Sequence, residues 1–268
     1  MAETGFSVRK QTGFTAIAVG CFILLYAPIF VLVVYSFNDG NSLARWDGVS
    51  LRWYASAWNN EKVVDASFRS LLIAAFAAVV STIAATMAAL ATTRKKPFRG
   101  QTSVYAFINL PLMVPEIVTG IALLIVFAWI KINTGYQGLG YLLAAHTAFC
   151  IPFAYLPIKA RLETMDLSLE RAAADLYATP LQAFRRITLP LLWPAVLAGA
   201  MLAFVTSLDT VVITELVKSA GQETLPTYML GQFRRSMTPE MNAISTVFLL
   251  ISVIAVAIVH RLSRAQAV

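Results

Sequence analysis

Long apolar runs alternate with short polar segments along most of the chain. A helix needs about 20 predominantly apolar residues to cross the hydrocarbon core of a bilayer, and several runs meet that length. They predict six membrane-spanning helices, at approximately residues 14–37, 68–92, 103–130, 138–158, 191–216 and 241–260. The pattern therefore predicts an all-α integral membrane protein with one domain over residues 1–268.

The segment between the fourth and fifth runs follows a different pattern. In "SLERAAADLY", apolar residues recur at helical spacing and form one stripe, consisting of Leu169, Ala172, Ala173, Leu176 and Tyr177. A second short helix is predicted after it. Thr179 can cap this helix, Pro180 suits its first turn, and Gln182 stands where a capping box needs it. Pro190 and Pro194 are expected to close the helix pair and start the fifth span.

Composition agrees with a membrane protein. Hydrophobic residues make up 58% of the chain and charged residues 13%, with a mean hydropathy of +0.70, whereas soluble domains average about 25% charged residues. Cys21 and Cys150 lie in different apolar runs without CxxC spacing, so we expect small hydrophobes rather than metal ligands or a disulfide. The first run is too long for the apolar part of a signal peptide and is expected to remain as an anchor.

The net charge of +7 could suggest nucleic acid as a partner. The basic residues are scattered in short loops between apolar runs, however, so orientation in the bilayer is the better interpretation. With the N-terminus inside, the inner segments hold 13 of the 21 Lys and Arg residues: Arg9, Lys10, Arg94, Lys95, Lys96, Arg99, Lys159, Arg161, Arg171, Arg185, Arg186, Arg261 and Arg264. Both termini and the helix pair are therefore predicted to be cytoplasmic, with no nucleic acid partner.

Two outer segments, residues 38–66 and 217–240, are polar and irregular. The first contains Trp46, Trp53 and Trp58. Tryptophans of this kind usually anchor at the headgroup level, and a docking surface or a pathway role is the alternative.

In the cytoplasm, the apolar ridge of the helix pair needs a cover. It can lie in a groove of another protein or on the lipid surface. Two short helices with a small, alanine-rich stripe argue against deep lipid insertion. A protein partner is the favoured interpretation.

The helix pair also resembles the "EAA" loop of bacterial ABC importer permeases. Ala172 and Ala173 match the alanines of that loop, and its end matches Ile187–Pro190. Arg171 departs at the usual Glu, with Glu170 adjacent, and Tyr177 replaces the usual Gly. The resemblance implies that residues 161–190, here named the coupling loop, seat on a separate ATPase subunit. The contact residues it implies are Glu170, Ala172, Ala173, Asp175, Leu176, Tyr177, Ala178, Phe184, Leu189 and Pro190.

The resemblance extends over residues 20–255 and is greatest to PotC/PotI-type permeases of spermidine and putrescine importers. It is carried by "YAPIFVLVVYSFN", "LPLMVPEIVTGIALL", "HTAFCIPF", "AFVTSLDTVVIT" and "PEMNAIST". It implies a six-span permease in the bacterial inner membrane, paired with a homologous second permease as a heterodimer. The other implied partners are an ATPase dimer, which binds ATP and Mg, and an extracytoplasmic substrate-binding protein. No GxxxxGK[ST] phosphate loop occurs, so this chain is expected to be a non-catalytic subunit without a cofactor.

Acidic residues inside apolar runs are candidates for the solute pathway. An ionisable group there costs about 2.5–3.5 kcal/mol, so it usually faces a pathway or a partner. Glu116 follows Pro115 in the third run, Asp209 lies in the fifth, and Glu215 follows near its outer end. Such carboxylates suit a cationic solute such as a polyamine. The alternative is a structural hydrogen bond or ion pair between spans, or solvation in the case of Glu215.

The resemblance to polyamine permeases covers these positions. It matches Glu116, the run Ser207-Leu208-Asp209-Thr210 and Trp53, which precedes a tyrosine. Thr210 departs from a second Asp of the family pattern. Because this chain has one carboxylate fewer than the family pattern, a less charged amine, or an opine-like or amino-acid-like solute, is the alternative.

Other chemistry has little support in the sequence. His146 has no second His or acid at ligand spacing, so a packed, hydrogen-bonded histidine is expected rather than a metal site. No GxSxG, HExxH or paired-cysteine pattern supports a membrane enzyme. A carrier that works without ATP is the remaining alternative, and it would need no ATPase subunit.

Overall fold

The computed structural model describes residues 12–42, 45–94, 98–235 and 238–265. This described part is helical, and its only extended pairing is a single bridge between Asn38 and Val49. The helices are α1 Thr12–Tyr35, α2 Arg52–Asn59, α3 Glu61–Thr93, α4 Gln101–Met113, α5 Glu116–Thr134, α6 Gly140–Thr164, α7 Ser168–Asp175, α8 Pro180–Ala183, α9 Leu189–Asp209, α10 Val212–Val217, α11 Leu225–Arg235 and α12 Glu240–Ala265. A π-helical turn, Phe184–Thr188, joins α8 to α9.

Six of the described helical segments are long and apolar enough to cross a membrane. They are Gly13–Tyr35, Glu61–Thr93, Glu116–Thr134, Gly140–Thr164, Pro180–Asp209 and Glu240–Ile258. The predicted fold class, an all-α membrane protein with six spans and a helical loop between the fourth and fifth, is confirmed. Of the basic residues used to predict orientation, Arg9, Lys10, Lys95 and Lys96 lie outside the described residues.

Close contacts divide the chain into two compact units. One comprises residues 1–60 and 236–250, and the other comprises residues 61–235 and 251–268. The expectation of one domain over the whole chain stays a prediction.

The core of the second unit lies where α3, α6 and α9 pack together. Small residues line the contact, as is usual between membrane helices, where close backbone approach replaces hydrophobic driving force. Gly199 of α9 shows how tight this packing is: an added Cβ would lie 2.8 Å from the Ala154 carbonyl oxygen of α6. The fully buried core side chains include Ala77, Ala85, Ala89, Cys150, Ala154, Tyr155, Ile158, Leu162, Leu192 and Ala203.

Two of the predicted spans are interrupted. The third is divided into α4 and α5, because Pro115 has no amide hydrogen with which to continue α4 and its ring disfavours helical geometry at Val114. The fifth ends as α9 at Asp209, passes through an extended Thr210, and resumes as α10. These interruptions place polar side chains at helix ends within the apolar stretches.

The fifth span also begins earlier than predicted. Helical geometry runs from Pro180 to Asp209, so Pro194 lies inside a helix, whereas Pro190 stands in the first turn of α9, directly after the π turn. The preceding π turn explains the difference. In this turn the Leu189 amide donates to the carbonyl of Phe184, five residues back, and the wider turn accommodates a proline that can donate no helical bond.

In the first unit, one buried asparagine organises the segment after α1. The Asn38 side chain donates to the Arg45 carbonyl at 2.7 Å and accepts from the Asp47 amide at 2.8 Å. Tyr54 of α2 shares a 2.6 Å hydrogen bond with the Ser36 hydroxyl. This predicted irregular segment is therefore held by specific polar contacts.

Candidate coupling surface and membrane acids

The first helix of the coupling loop, α7, has a defined start and end. Asp166 accepts hydrogen bonds from the backbone and hydroxyl of Ser168, which hold the pKa of its carboxyl below the ordinary value. At the other end, the Tyr177 amide donates to the Ala174 carbonyl and the Ala178 amide donates to the Ala173 carbonyl. This pair of bonds is a Schellman motif.

Tyr177 occupies the left-handed position of that motif, with φ of 60°. This conformation favours glycine, which is the residue that the resemblance leads one to expect there. The turn is therefore retained although the residue departs, and the tyrosine bears a conformational cost of about 1–2 kcal/mol.

The start of α8 matches the sequence prediction. The Gln182 amide donates to the Thr179 hydroxyl at 3.3 Å, and the Thr179 amide donates to the Gln182 side chain at 2.9 Å, which completes the capping box. Pro180 occupies the first turn. Local signals alone were sufficient to predict this helix start.

The apolar ridge of the coupling loop is largely exposed. Leu176 is 82% exposed, Tyr177 is 96% exposed and Leu181 is 65% exposed. Ala173 does not belong to this ridge, because it is 8% exposed and faces the rest of the unit. The expected stripe is corrected on this point: one of its five members packs inward.

A basic concavity adjoins the ridge. A cavity of about 380 Å³ is lined by Leu181, Gln182, Arg185 and Arg186. Both arginines are exposed. An apolar ridge beside two guanidinium groups suits a partner surface that is apolar with an acidic border. The other expected contact positions vary in exposure: Ala172, Asp175 and Pro190 are exposed, whereas Ala178, Phe184 and Leu189 are half-buried.

Glu170 points away from this surface. Its Oε1 accepts from Arg94 Nε at 3.1 Å and from the Thr188 hydroxyl at 3.0 Å. Arg94 also donates to the Leu162 carbonyl at 2.9 Å. Glu170 therefore connects the loop to the helix bundle, and its expected contact with a partner stays a prediction.

Most of the predicted pathway residues lie at the break in the fifth span or in the helices beside it, α9 and α10. Asp209 is the last residue of α9 and is exposed. Thr210 is 5% exposed, and its hydroxyl donates to the Thr206 carbonyl at 2.7 Å. A carboxylate at the carbonyl end of a helix makes a site that attracts cations, because the helix dipole is negative there.

His146 of α6 holds both sides of this break. The imidazole is 1% exposed, with Nδ1 2.8 Å from the Ser207 hydroxyl and Nε2 2.9 Å from the Thr214 hydroxyl. Thr214 already donates its hydrogen to the Thr210 carbonyl, so it must accept from Nε2–H. The Ser207 hydroxyl pairs with Nδ1 on the other side of the ring. This network confirms the expected hydrogen-bonded histidine.

Ser207, predicted as a pathway residue, is thus 4% exposed and committed to His146. Among the described residues, no cluster of His, Cys, Asp or Glu has the arrangement of a metal site. Ser207, Thr210 and Thr214 are buried at the break, whereas Asp209 beside them is exposed.

Glu116 lies at the other interruption, at the start of α5. Its Oε1 accepts from the Ile213 amide of α10 at 3.4 Å, the long end of the hydrogen-bond range. This contact brings the two interruptions together, because α5 packs against α10. Glu116 is half-buried, so part of its carboxylate is available to another group.

Glu215 is exposed but paired. Lys218 Nζ lies 2.8 Å from its carboxylate and 3.7 Å from that of Glu223. This is one of the alternatives that the sequence left open for Glu215, an ion pair near the end of the span.

Trp53 belongs to the first unit. Its indole Nε1 is buried without a hydrogen-bond partner among the described residues, and the Arg52 guanidinium lies 4.4 Å from the ring centroid. The cation over the ring face is a favourable contact.

Sequence reasoning missed Thr188 and Thr214, and it used Arg94 only as an orientation charge. Helical spacing alone gives no signal for a bond between residues 76 positions apart, such as Arg94 and Glu170. The adjacent Glu170 beside the departing Arg171 was the one available hint that a carboxylate is needed in this turn.

These features define a helical membrane protein with interrupted spans and an exposed helical loop between the fourth and fifth. A family model described as "Binding-protein-dependent transport system inner membrane component" matches residues 81–267. The chain belongs to this family.

Two relatives cover most of the chain. The putrescine transport system permease protein PotI of Escherichia coli (strain K12) is 39% identical over 231 residues, which cover 85% of this chain and 82% of the relative. The spermidine/putrescine transport system permease protein PotC of Haemophilus influenzae is 36% identical over 240 residues, which cover 90% of this chain and 92% of the relative.

Solved structures agree on the fold. A bacterial alginate ABC transporter, in complex with an alginate pentasaccharide-bound periplasmic protein, contains a chain that superposes with a TM-score of 0.72 at 13% identity. The match covers 94% of this chain and 93% of that one. The shared architecture is that of an ABC transporter membrane subunit.

Proposed function

We propose that this chain is one of two homologous permease subunits of an ATP-driven importer that carries a polyamine into the bacterial cytoplasm. The observation that carries the solute assignment is the pair of carboxylates, Glu116 and Asp209, at the interruptions of the third and fifth spans. The names of the PotI and PotC relatives support the same class of solute.

The carboxylates suit this role for a physical reason. Asp209 is exposed at the carbonyl end of α9 and has no hydrogen-bond or ion-pair partner among the described residues. An unpaired acid in an apolar span is costly, and an ammonium group on the solute removes that cost. Glu116 adds a second, partly available carboxylate, and amine groups on an aliphatic chain can meet both.

The coupling loop supplies the other half of the proposal. Its exposed ridge of Leu176, Tyr177 and Leu181 is proposed to seat on an ATPase subunit, with Arg185 and Arg186 facing acidic groups of that subunit. Both termini and this loop are proposed to be cytoplasmic, since most basic residues of the chain fall on that side.

A specific observation favours a solute with fewer charges. It favours putrescine over spermidine among polyamines, and it keeps a less charged amine as the second candidate. Thr210 stands where the family pattern has a second acid, and its hydroxyl is already bonded to the Thr206 carbonyl. It offers no charge to a third amine. Putrescine, with two amines, fits two carboxylates better than spermidine does.

The test is uptake by the complete transporter in proteoliposomes, with its binding protein outside and ATP inside. The solutes compared are putrescine, spermidine, a neutral amino acid and an opine. Asp209→Asn keeps the shape of the side chain and removes its charge, so putrescine uptake should fall at least about tenfold, the effect of 1.4 kcal/mol. Asp65→Asn, at an exposed position of α3, is the matched control and should leave uptake unchanged.

Unchanged putrescine uptake in Asp209→Asn, with the complex assembled, would remove Asp209 from the pathway. Uptake of the amino acid in preference to both amines would overturn the polyamine assignment. Uptake that persists without any ATPase subunit would instead establish a carrier.

A further inference from the structure

The Glu170 carboxylate and the Arg94 guanidinium together join four parts of the second unit. Glu170 lies on α7, Arg94 directly follows α3, and Thr188 ends the π turn that leads into α9. Arg94 also binds the carbonyl of Leu162 near the end of α6. One carboxylate and one guanidinium therefore connect the coupling loop to the three helices that form the core.

This cluster differs from an ordinary surface ion pair. The Arg94 and Glu170 side chains are only 17% and 25% exposed, and Thr188 is 4% exposed. Exposed pairs contribute little to stability, whereas hydrogen bonds to charged, desolvated groups are stronger. The partners are 76 and 18 positions apart in sequence, so the bonds fix tertiary geometry rather than one helix.

The helix that Glu170 belongs to has little else to hold it. Eight residues are too few for a stable isolated helix. Ala173 is its one buried residue. A displacement of α7 therefore reaches the bundle through Glu170 more directly than through packing.

The π turn gives this connection a second possible arrangement. Transmission of movement requires an element with two discrete states. A π turn differs from an α turn by one residue of register and is frequent at functional sites. Removing the extra residue of Phe184–Thr188 would rotate Thr188 relative to α9 and change its distance from Glu170.

Arg94 also has unused bonding capacity. Its Nη2 nitrogen is buried and has no hydrogen-bond partner among the described residues. A buried donor without a partner is costly, so a second set of bonds would be favourable in another state.

We propose that the Arg94–Glu170–Thr188 cluster is the linkage through which movement of the coupling loop reaches α3, α6 and α9. This rests on the proposed function, because it presumes that an ATPase moves the loop. The three side chains are positioning residues: they touch neither solute nor nucleotide.

The experiment measures solute imported per ATP hydrolysed by the complete reconstituted transporter with its binding protein. Thr188→Val is nearly isosteric and removes one bond to Glu170, and Glu170→Gln removes the charge. Each should lower the ratio about fivefold or more, the lower end of typical coupling between sites, because ATPase turnover continues without productive movement. The melting temperature of the permease is measured in parallel, since a merely structural role would change it and leave the ratio intact.

Two controls isolate the linkage. Thr188→Ser keeps the hydroxyl and should keep the ratio. Glu163→Gln removes a carboxylate near the end of α6 whose ion pair with Lys159, at 3.6 Å, stays within that helix, and it should also leave the ratio unchanged.

The outcomes separate this inference from the proposed function. If the ATPase binds and the Thr188→Val variant imports as much solute per ATP hydrolysed as the unmodified protein, the linkage is wrong and the proposed function stands. If the unmodified chain binds no ATPase subunit, the proposed function fails and this inference fails with it. Should Glu170→Gln not assemble, Thr188→Val decides the question alone.

Discussion

The coupling loop and the break in the fifth span are both interruptions of helical structure, but they treat their side chains in opposite ways. The loop exposes large apolar residues, such as Leu176, and closes its turns with bonds between near neighbours. The break buries polar residues and binds them to His146, 61 and 68 positions away.

The two regions differ in whether their side chains need a partner from another helix. The apolar surface of the loop, with turns closed locally and a connection to the bundle through Glu170, is complete without its partner and available to one. Buried hydroxyls inside a span have no such independence, because each needs a partner supplied by another helix. Substitutions should therefore separate the two regions: stability should respond at the break, and binding should respond at the loop.

The largest effect on stability is expected from His146→Leu. This change keeps the volume similar and leaves the Ser207 and Thr214 hydroxyls without their shared partner, which should cost about 1–3 kcal/mol of folding free energy. The measurement is thermal or denaturant unfolding of the purified permease. Thr147→Val is the matched control, because the neighbouring Thr147 hydroxyl is buried without a partner among the described residues.

Thr147→Val should be neutral or slightly stabilising, since it replaces an unsatisfied hydroxyl by a methyl group. If it destabilises the protein as much as His146→Leu does, the hydrogen bonds of His146 are not what holds the break.

This contrast also explains what could be predicted from the sequence. The spans follow from apolar length, and the start of α8 follows from Thr179 and Gln182, because those signals are local. The left-handed turn at Tyr177 could not be predicted from the residue itself, since tyrosine does not favour that conformation. The resemblance to a loop with glycine there was the only indication.

The candidate site was less predictable than the fold. Glu116 and Asp209 were found because a charge in an apolar run is conspicuous. Their surroundings were not, because one sequence does not reveal that His146 meets Ser207 or that Glu116 reaches the Ile213 amide. Nor does spacing show that Glu170 turns inward to Arg94 while its neighbours face out.

A smaller effect is expected at the turn of the loop. Tyr177→Val places a β-branched residue at φ of 60° and should weaken the turn further, by less than the cost of about 1–2 kcal/mol that tyrosine already bears there, whereas Tyr177→Gly removes that cost and should be neutral or stabilising. Hydrogen exchange of the amides of residues 177 and 178 reports this, because their bonds close the Schellman motif. Faster exchange in the glycine variant than in the valine variant would contradict the assigned conformation.

The smallest effect on stability, and the sharpest separation of the two regions, is expected from Leu176→Ser. Leu176 is 82% exposed, so the free permease should lose no more than about 0.5 kcal/mol. Burial of a leucine against a partner contributes about 1.5–3 kcal/mol, so affinity for the proposed ATPase subunit should fall about tenfold or more. Titration of the purified ATPase onto the permease in nanodiscs measures this.

The matched control for Leu176→Ser is the same chemical change at Leu167, which is 41% exposed and lies outside the stripe. Its effect on ATPase affinity should stay within about twofold, equivalent to the 0.5 kcal/mol of an ordinary surface change. A weaker complex with Leu167→Ser and an unchanged one with Leu176→Ser would show that the ATPase meets a different face of the loop. The loop would then keep its local structure, but its exposed ridge would not be the surface that binds the ATPase.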